Sequence, residues 1–369
     1  MRRFRFEAVS LAFLFLMPSL LIAQTVNARL EGVVHDQTGA VVPGVAVLAT
    51  NTGTNIDYEQ VTNEVGRYVF VSLPPGTYRL AAELPGFKKV SITGILLQIG
   101  DARTTNVTLE PGELSESVTV TGDAPLMDLT TTKIGNVVEE RQILELPLVG
   151  RNPMMLFYQA AGTNPKDSLG SQQQIGGVNG LAPNTNNIKI EGIFAGIPSY
   201  DYSPASPSAP VPQEAVGEYR VTTANAMADA GRGSGAQVQV FMKSGTNEFH
   251  GSAFDFLRNR VLNANNFFNN RGAIPRPQLI RNQFGFSLGG PAIKERLFWF
   301  GNYEKTQENS AISINTPYFP SLTTFKAPFD ENSSNVRTDW RVSQNHDFLF
   351  RWSRNENSSL GGFGGIKLP

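Results

Sequence analysis

The residue types that most often catalyse reactions or bind metals are few and scattered in this chain. The three histidines, His35, His250 and His346, lie far apart and have no partners at the spacing of metal ligands, and there is no cysteine. Neither a Walker-type phosphate loop nor a GxSxG nucleophile motif occurs. We therefore expect no enzyme activity, no cofactor and no metal site.

One short stretch has a pattern that suits binding rather than catalysis. Residues 116–121 read ESVTVT, in which valines and threonines alternate. This alternation predicts a strand with Val118 and Val120 on one face and Thr119 and Thr121 on the other. Such a segment could leave its own fold and pair with the sheet edge of a partner protein. The alternative is an ordinary strand that joins two domains.

Length, composition and charge limit the class of protein. A chain of 369 residues is long enough for two or three domains. The net charge of -1 gives no electrostatic reason to bind nucleic acid. Glycine, proline, asparagine, serine and threonine are abundant, and long helical periodicity is scarce, which predicts a mainly β protein with many turns.

The amino-terminal residues predict export. Arg2, Arg3 and Arg5 precede a short apolar stretch over residues 8–22, as in a secretory signal peptide, here assigned to residues 1–23. Cleavage after Ala23 or Ala28 fits this pattern. No later stretch is apolar and long enough to cross a membrane as a helix, so a membrane location would require β-strands.

Residues 28–112 predict a small β-sandwich. Tyr68 and Phe70 alternate with smaller or polar residues, LPPGTY turns the chain, and Tyr78 and Leu80 resume the alternation. Several such strands, separated by turn signals every 8–12 residues or so, are typical of a sandwich.

Residues 113–245 predict a compact α+β unit. VEERQILELP suits a short helix that stops at Pro147, and GRNPMMLFYQAAG suits a second helix with Asn152 as N-cap and Gly162 as terminator. Short strands follow in NNIKIEG, EYRVTT and GAQVQVFMKSG. Between the first two of these, residues 192–212 are rich in proline, serine and alanine and predict a loop. Its Tyr200, Asp201 and Tyr202 suit an outward-facing recognition surface, and a solvated linker is the alternative.

Residues 248–369 predict five strands whose connections alternate between long and short. Long polar connections follow the first and third strands, at residues 260–280 and 309–334, and short turns follow the second and fourth. Outer-membrane barrels alternate long outer loops with short periplasmic turns. In such a barrel the aromatic faces of the strands contact lipid. We expect this of Phe254, Phe256, Phe284, Phe286, Leu288, Phe298, Phe300, Phe348, Phe350 and Trp352.

Several motifs together resemble the TonB-dependent outer-membrane receptors, in particular the Oar-like group. They are LPLVGRN, EYRVTT, GRGSGAQVQVFMKSGTNEFHGSAFDFLRN and FGFSLGGPAIKERLFWFGNYEK. One departure is that Glu191-Gly192 stands where this family usually has Asp-Gly. Residues 28–112 resemble the carboxypeptidase regulatory-like domain, a transthyretin-like, carbohydrate-binding-like sandwich that often precedes the plug in this group. The matching residues are Gly66, Tyr68, Leu73, Pro75, Gly76, Tyr78, Gly86 and Phe87. Without an HxxE zinc motif, the resemblance implies no peptidase.

The resemblance implies a mainly β fold class and a set of partners. The sandwich would be followed by an α+β plug domain at residues 113–245 and by the first strands of an incomplete transmembrane β-barrel at residues 248–369. The chain would lie in the cell outer membrane of a Gram-negative-type bacterium, in contact with lipid. It would bind an extracellular substrate (a carbohydrate, a peptide or a metal chelate) and admit it when the periplasmic domain of TonB moves the plug. The TonB box would be Glu116, Ser117, Val118, Thr119, Val120 and Thr121.

The number of predicted strands is too small for a closed barrel. A plugged barrel needs about 22 strands, so five strands predict an amino-terminal fragment of a longer receptor; the alternative is a short protein that completes its sheet by oligomerising. The alternative function is that of a secreted or surface carbohydrate-binding or adhesive β protein. Lipid-facing aromatic bands would distinguish the receptor from the adhesin.

Overall fold

The computed structural model describes most of the chain outside the predicted signal segment. The described residues are 27–112, 117–121, 133–164, 175–195, 211–226, 230–231, 233–265, 267–316, 319–343 and 346–359. They form three units, which we call the sandwich, the middle unit and the long-strand sheet. The mainly β fold class predicted from the sequence is confirmed.

The sandwich consists of two packed sheets. One has the order β4-β1-β7, with β8 also paired to β1, and the other has the order β3-β2-β5-β6-β9. The strands are β1 (Ala28–Asp36), β2 (Ala46–Asn51), β3 (Asp57–Val61), β4 (Arg67–Leu73), β5 (Gly76–Glu83), β6 (Lys89–Leu97), β7 (Ala102–Thr104), β8 (Val107–Leu109) and β9 (Ser117–Thr121). Ser117–Thr121 of the strand predicted over residues 116–121 thus belongs to the sandwich sheet rather than to the unit that follows.

The alternating aromatic and aliphatic side chains identified in the sequence fill the core between these sheets. Tyr68, Phe70, Tyr78 and Leu80 are all buried in one apolar cluster. The Tyr68 hydroxyl crosses to the other end of the sheet and donates a hydrogen bond to the backbone carbonyl of Thr105. Burial of the Tyr68 ring removes apolar surface from water, which stabilises the fold. Because the hydroxyl is hydrogen-bonded, this burial leaves no polar group unpaired.

Gly32 in β1 provides a test of this packing. A methyl group at Gly32 would lie 1.8 Å from the Thr105 carbonyl oxygen and 2.8 Å from the Tyr68 hydroxyl. We expect Gly32→Ala to lower the free energy of unfolding of the sandwich by about 2 kcal/mol or more, as overpacking does. At Gly53 the nearest atoms lie 3.5 Å away, so Gly53→Ala is the matched control. Equal thermal midpoints for the two variants would contradict the prediction.

The middle unit has a five-stranded sheet with the order β10-β13-β14-β11-β12, in which only the β11–β14 pair is parallel. Its strands are β10 (Ile134–Glu139), β11 (Asn187–Ile190), β12 (Ile193–Phe194), β13 (Val216–Ala224) and β14 (Gln237–Met242). A helix, α1 (Glu140–Glu145), follows β10, and short 3-10 segments lie at Val149–Arg151, Pro153–Gln159, Pro183–Thr185 and Gln213–Ala215.

The two helices predicted in this unit are present, with one change of type. Helix α1 ends before Pro147, because the residue that precedes a proline is disfavoured in helical conformation. The second forms as a 3-10 segment, and the Asn152 side chain caps it by accepting a hydrogen bond from the Met154 amide at 3.0 Å. It ends at Gln159, before the predicted terminator Gly162.

The long-strand sheet is an antiparallel meander in chain order. Its strands are β15 (His250–Asn259), β16 (Leu279–Ile293), β17 (Leu297–Thr316), β18 (Phe319–Ser343) and β19 (His346–Ser359). A 3-10 segment at Arg260–Leu262 and a helix, α2 (Phe267–Arg271), lie in the first long connection. No helix among the described residues is long and apolar enough to cross a membrane.

The prediction of a long loop at residues 309–334 is wrong. Strands β17 and β18 stay paired from Leu297↔Trp340 out to Thr316↔Phe319, so this part of the chain extends the hairpin. Its polar composition suggested a loop, but a β-ladder is built from backbone hydrogen bonds and needs no apolar face once it projects beyond a core.

Candidate functional site

The middle unit packs against one face of the long-strand sheet, which we call the inner face. Phe300 of β17 joins the apolar core of the middle unit, and Ser252 of β15 donates a hydrogen bond to Glu214 at 3.0 Å. The rest of this face is mainly polar and buried, with Arg281, Gln283, Ser287, Asn302, Glu304, Thr306, Ser333, Asn335 and Arg337.

Two of the predicted aromatic faces point outward, away from the middle unit. Phe286 and Leu288 of β16 are exposed, as are Phe348, Phe350 and Trp352 of β19. The alternation on these two strands therefore places aromatic and aliphatic side chains on the outer face and polar side chains on the inner face, as predicted.

The other two predicted aromatic faces point inward, which corrects the expectation that they contact lipid. Phe298 and Phe300 are only 2% and 1% exposed. Phe254 and Phe256 lie against the Arg151 guanidinium of the middle unit, with its carbon 4.3 Å and 4.4 Å from the two ring centroids. Period-two alternation shows that residues share a face, but not which face is covered. Here the middle unit covers the inner face: Phe300 is buried in its core, whereas Phe254 is half-buried and Phe256 stays exposed beside Arg151.

Among the described residues, Arg151 is one of two arginines that form ion pairs between the middle unit and the long-strand sheet. Besides lying over Phe254 and Phe256, its guanidinium is 3.0 Å from Glu214 and 3.8 Å from Glu304 of β17. The Arg151 side chain is held at the end of the Val149–Arg151 segment, where Gly150 and Arg151 both have positive φ. The charge is therefore buried beside two carboxylates and two aromatic faces, all of which favour it.

The second connection is an ion pair between Glu191 and Arg337. Glu191 lies in the tight turn between β11 and β12, with φ of 52°, and Gly192 follows with φ of 75°. Its carboxylate is 2.8 Å from the Arg337 guanidinium of β18 and accepts a hydrogen bond from the Met242 amide at 2.7 Å. Burial raises the pKa of Glu191, while the Arg337 charge and the Met242 amide lower it. Arg337 also donates to the Met242 carbonyl at 2.7 Å and stacks on Phe241.

The sandwich contacts the middle unit through the turn at residues 98–101. The Ile99 amide donates to the Glu218 carboxylate at 2.8 Å. Arg220 donates to the Ile99 carbonyl and is 3.1 Å from Asp101. This turn directly follows β6, so the end of β6 is fixed to β13 of the middle unit.

The ionisation of Glu218 gives this contact a pH dependence. The pKa of Glu218 is raised from 4.5 to about 8, mainly because burial outweighs the lowering effect of the Ile99 hydrogen bond, with a smaller raising effect from the Asp101 charge. Because the folded pKa is raised, the stabilising contribution of Glu218 is complete below pH 4.5 and is lost as the pH rises through about 8.

We therefore expect the stability of the 98–101 contact to fall as the pH rises from about 4.5 to about 8. Amide exchange of Ile99, corrected for its intrinsic pH dependence, measures this stability. Glu218→Gln should flatten the profile. Glu139→Gln is the matched control, since Glu139 accepts a hydrogen bond from Gln98 at the same contact but is exposed. An unchanged profile in Glu218→Gln would show that another group titrates.

The sandwich also contacts the long-strand sheet. Asn247, just before β15, donates to the carbonyls of Gly53 and Thr54, at 3.0 Å from its backbone and 2.7 Å from its side chain. Arg341 of β18 donates to the Asp57 carbonyl at 2.8 Å and stacks on the Tyr58 ring. The sandwich is therefore attached both to the middle unit and to the long-strand sheet.

The structure places only part of the predicted site. Ser117–Thr121 forms β9 and pairs in parallel with β6, from Lys89↔Ser117 to Thr93↔Thr121. Glu116 of the same candidate segment lies outside the described residues, as do Tyr200, Asp201 and Tyr202 of the candidate recognition loop. No cluster of three or more potential metal ligands occurs within the described ranges.

Sequence reasoning missed the charged connections between the units. Arg151 falls in GRN and Glu191 in IEG, two motifs singled out for other reasons, but their partners Glu304 and Arg337 are more than a hundred residues away. A charged residue inside an otherwise apolar or glycine-rich motif could have indicated these ion pairs, because charges in such places are usually buried and paired.

Two family comparisons match parts of the chain. The carboxypeptidase regulatory-like domain matches residues 29–110. A family described as outer membrane beta barrel domain matches residues 241–329. The first lies in the sandwich, and the second runs from the end of β14 into β18.

A curated relative and several solved structures are similar to the chain. The TonB-dependent transporter Oar of Myxococcus xanthus is 28% identical over 274 residues, which cover 71% of this chain and 25% of that protein. The outer membrane transporter YddB of Escherichia coli is 13% identical with a TM-score of 0.48, over 61% of this chain and 33% of that one. The siderophore receptor PirA of Acinetobacter baumannii is 18% identical with a TM-score of 0.45, over 61% and 32%.

These findings agree with the resemblance stated from the motifs. The curated relative is a transporter, in line with the expectation that the chain is not an enzyme. The chain spans about a quarter of the length of the curated relative. The chain is similar to a TonB-dependent transporter and matches a carboxypeptidase regulatory-like domain and an outer membrane beta barrel domain, and these findings place it in the cell outer membrane.

Proposed function

We propose that the chain binds an extracellular substrate and admits it when TonB moves the middle unit, which acts as the plug. Strands β15–β19 belong to the wall, and Ser117–Thr121 of β9 is the segment that TonB engages. The observation that carries the proposal is the seating of the middle unit against the inner face by buried, charge-paired contacts.

The nature of these contacts supports a plug that is held in place yet separable. Apart from Phe300, the inner face meets the middle unit largely through polar groups, among them Glu304 and Arg337. Polar surfaces can be rehydrated when they part, whereas separating large apolar surfaces costs about 25 cal/mol per Å². Two ion pairs beside the apolar contact of Phe300 thus fit a unit that must shift within a wall.

The position of β9 in its sheet supports its assignment as the segment that TonB engages. It is a short strand at the end of its sheet, before the described part of the middle unit begins at residue 133. Backbone pairing with a partner's sheet edge needs an extended, accessible segment more than particular side chains. A pull on β9 would reach the middle unit along the chain.

Retention of the solubilised chain on an immobilised periplasmic domain of TonB tests this function. We expect the chain in detergent to be retained, and a synthetic peptide of residues 113–124 to compete for retention. A peptide of the same composition in scrambled order is the control. Failure of the chain to be retained, with the TonB domain shown to be folded, would contradict the proposed function.

A further inference from the structure

The sandwich holds the segment that we assign to TonB. Five residue pairs join β9 to β6 in parallel, from Lys89↔Ser117 to Thr93↔Thr121. The opposite edge of β6 is paired with β5. With β9 in place β6 is an interior strand; without β9 its backbone donors and acceptors would form an open sheet edge.

The β6 edge is a rigid acceptor. Val90, Ile92, Ile95 and Leu97 of β6 are buried in the sandwich core, and the turn that follows β6 is fixed to Glu218 and Arg220 of the middle unit. Departure of β9 would therefore leave the shape of the acceptor unchanged. A short parallel ladder is also slightly less stable per residue than an antiparallel one, which suits reversible binding.

The attachment of the sandwich decides where a pull on β9 would act. While β9 is paired with β6, a force on β9 is borne by the sandwich. The sandwich is tied to the long-strand sheet through Asn247 and Arg341 as well as to the middle unit. Such a force would load the wall and the plug together. Only after β9 leaves β6 could a pull move the middle unit relative to the wall.

We propose that the sandwich is a strand-holding module that withholds Ser117–Thr121 from TonB by pairing it with β6. TonB takes the strand in place of β6, so the two pairings exclude each other. This proposal rests on the proposed function, because it takes β9 as the TonB contact. It gives the carboxypeptidase regulatory-like domain a role in this chain, namely control of energy coupling.

An engineered disulfide tests the proposal in the full chain. Ser91 and Thr119 are paired residues of β6 and β9, and the chain has no native cysteine to interfere. Ser91→Cys with Thr119→Cys would lock β9 onto β6 on oxidation. Ser91→Cys with Ala81→Cys is the matched control, because Ala81↔Ser91 is a pair between β5 and β6. Affinity for the TonB periplasmic domain is measured for each variant, oxidised and reduced.

We expect the β6–β9 disulfide to form readily and to weaken TonB binding by at least about tenfold, since it removes the binding-competent state. Reduction should restore binding, and the control should bind equally in both states. Equal binding by the oxidised β6–β9 variant would overturn the proposal, and so would failure of this disulfide to form. If TonB binds no variant and not the parent chain, the proposed function fails. In that case, formation of the disulfide between positions 91 and 119 still shows whether the sandwich holds β9 on β6.

Discussion

Replacing Arg337 with methionine is expected to loosen the middle unit by about 3 kcal/mol or more, because it removes one partner of a buried ion pair. The Glu191 side chain is 1% exposed and the Arg337 side chain 4%, so water cannot replace the lost partner without local opening. The methionine keeps the apolar stem beside Phe241 but donates to neither Glu191 nor the Met242 carbonyl. Native-state amide exchange of β11 and β14 measures the loss.

The double variant separates charge burial from packing. Glu191→Gln with Arg337→Met should recover part of the stability, because the uncompensated charge of the buried Glu191 is gone while the partly exposed Asp339 still lacks its Arg337 partner. Arg354→Met is the matched control, since Arg354 forms an ion pair with Glu356 in which both side chains are more than half exposed. That change should stay within about 0.5 kcal/mol. Equal destabilisation by Arg337→Met and Arg354→Met would show that the buried pair does not hold the middle unit.

Replacing Val118 with proline is expected to reduce cross-linking between this chain and the periplasmic domain of TonB to background. Proline removes a backbone donor and fixes φ, so residues 117–121 could no longer add as a strand to a partner's edge. The middle unit and the long-strand sheet should fold as before, because Val118 lies in neither. Cross-linking yield in outer-membrane preparations is the measurement.

Gln60→Pro is the matched control for Val118→Pro. Gln60 lies in β3, the strand at the other end of the same sheet. It carries the same backbone change without touching β9, and its yield should equal that of the parent chain. An undiminished yield in Val118→Pro would remove this segment as the TonB contact.

Local patterns predicted most strands of the fold. Alternation identified the sandwich core around Tyr68 and Tyr78, and the turn and proline signals located α1 and the segment capped by Asn152. These features depend on neighbours in sequence, so the residues themselves carry the information. The predicted ends of β17 and β18 were wrong, because pairing between residues distant in the chain continues the hairpin through a polar stretch.

The side of the sheet to which each aromatic face points could not be predicted from the sequence alone. Phe348 and Phe350 point outward as predicted, whereas Phe298 and Phe300 point inward, although both pairs have the same spacing. What distinguishes them is the middle unit, which buries rings on the side it covers. The Glu191–Arg337 pair, and the placement of β9 on β6, were likewise beyond local patterns because each joins residues distant in the chain.

Amide hydrogen exchange on the chain in outer-membrane vesicles, with and without the periplasmic domain of TonB, tests energy coupling through β9 most directly. We predict that TonB leaves Ser117–Thr121 protected, now by the sheet of TonB, while Lys89–Thr93 of β6 loses protection along its vacated edge. We also predict faster exchange in β11 and β14 when force is applied through TonB. Unchanged exchange in both β9 and β6, with new protection elsewhere in the chain, would contradict it.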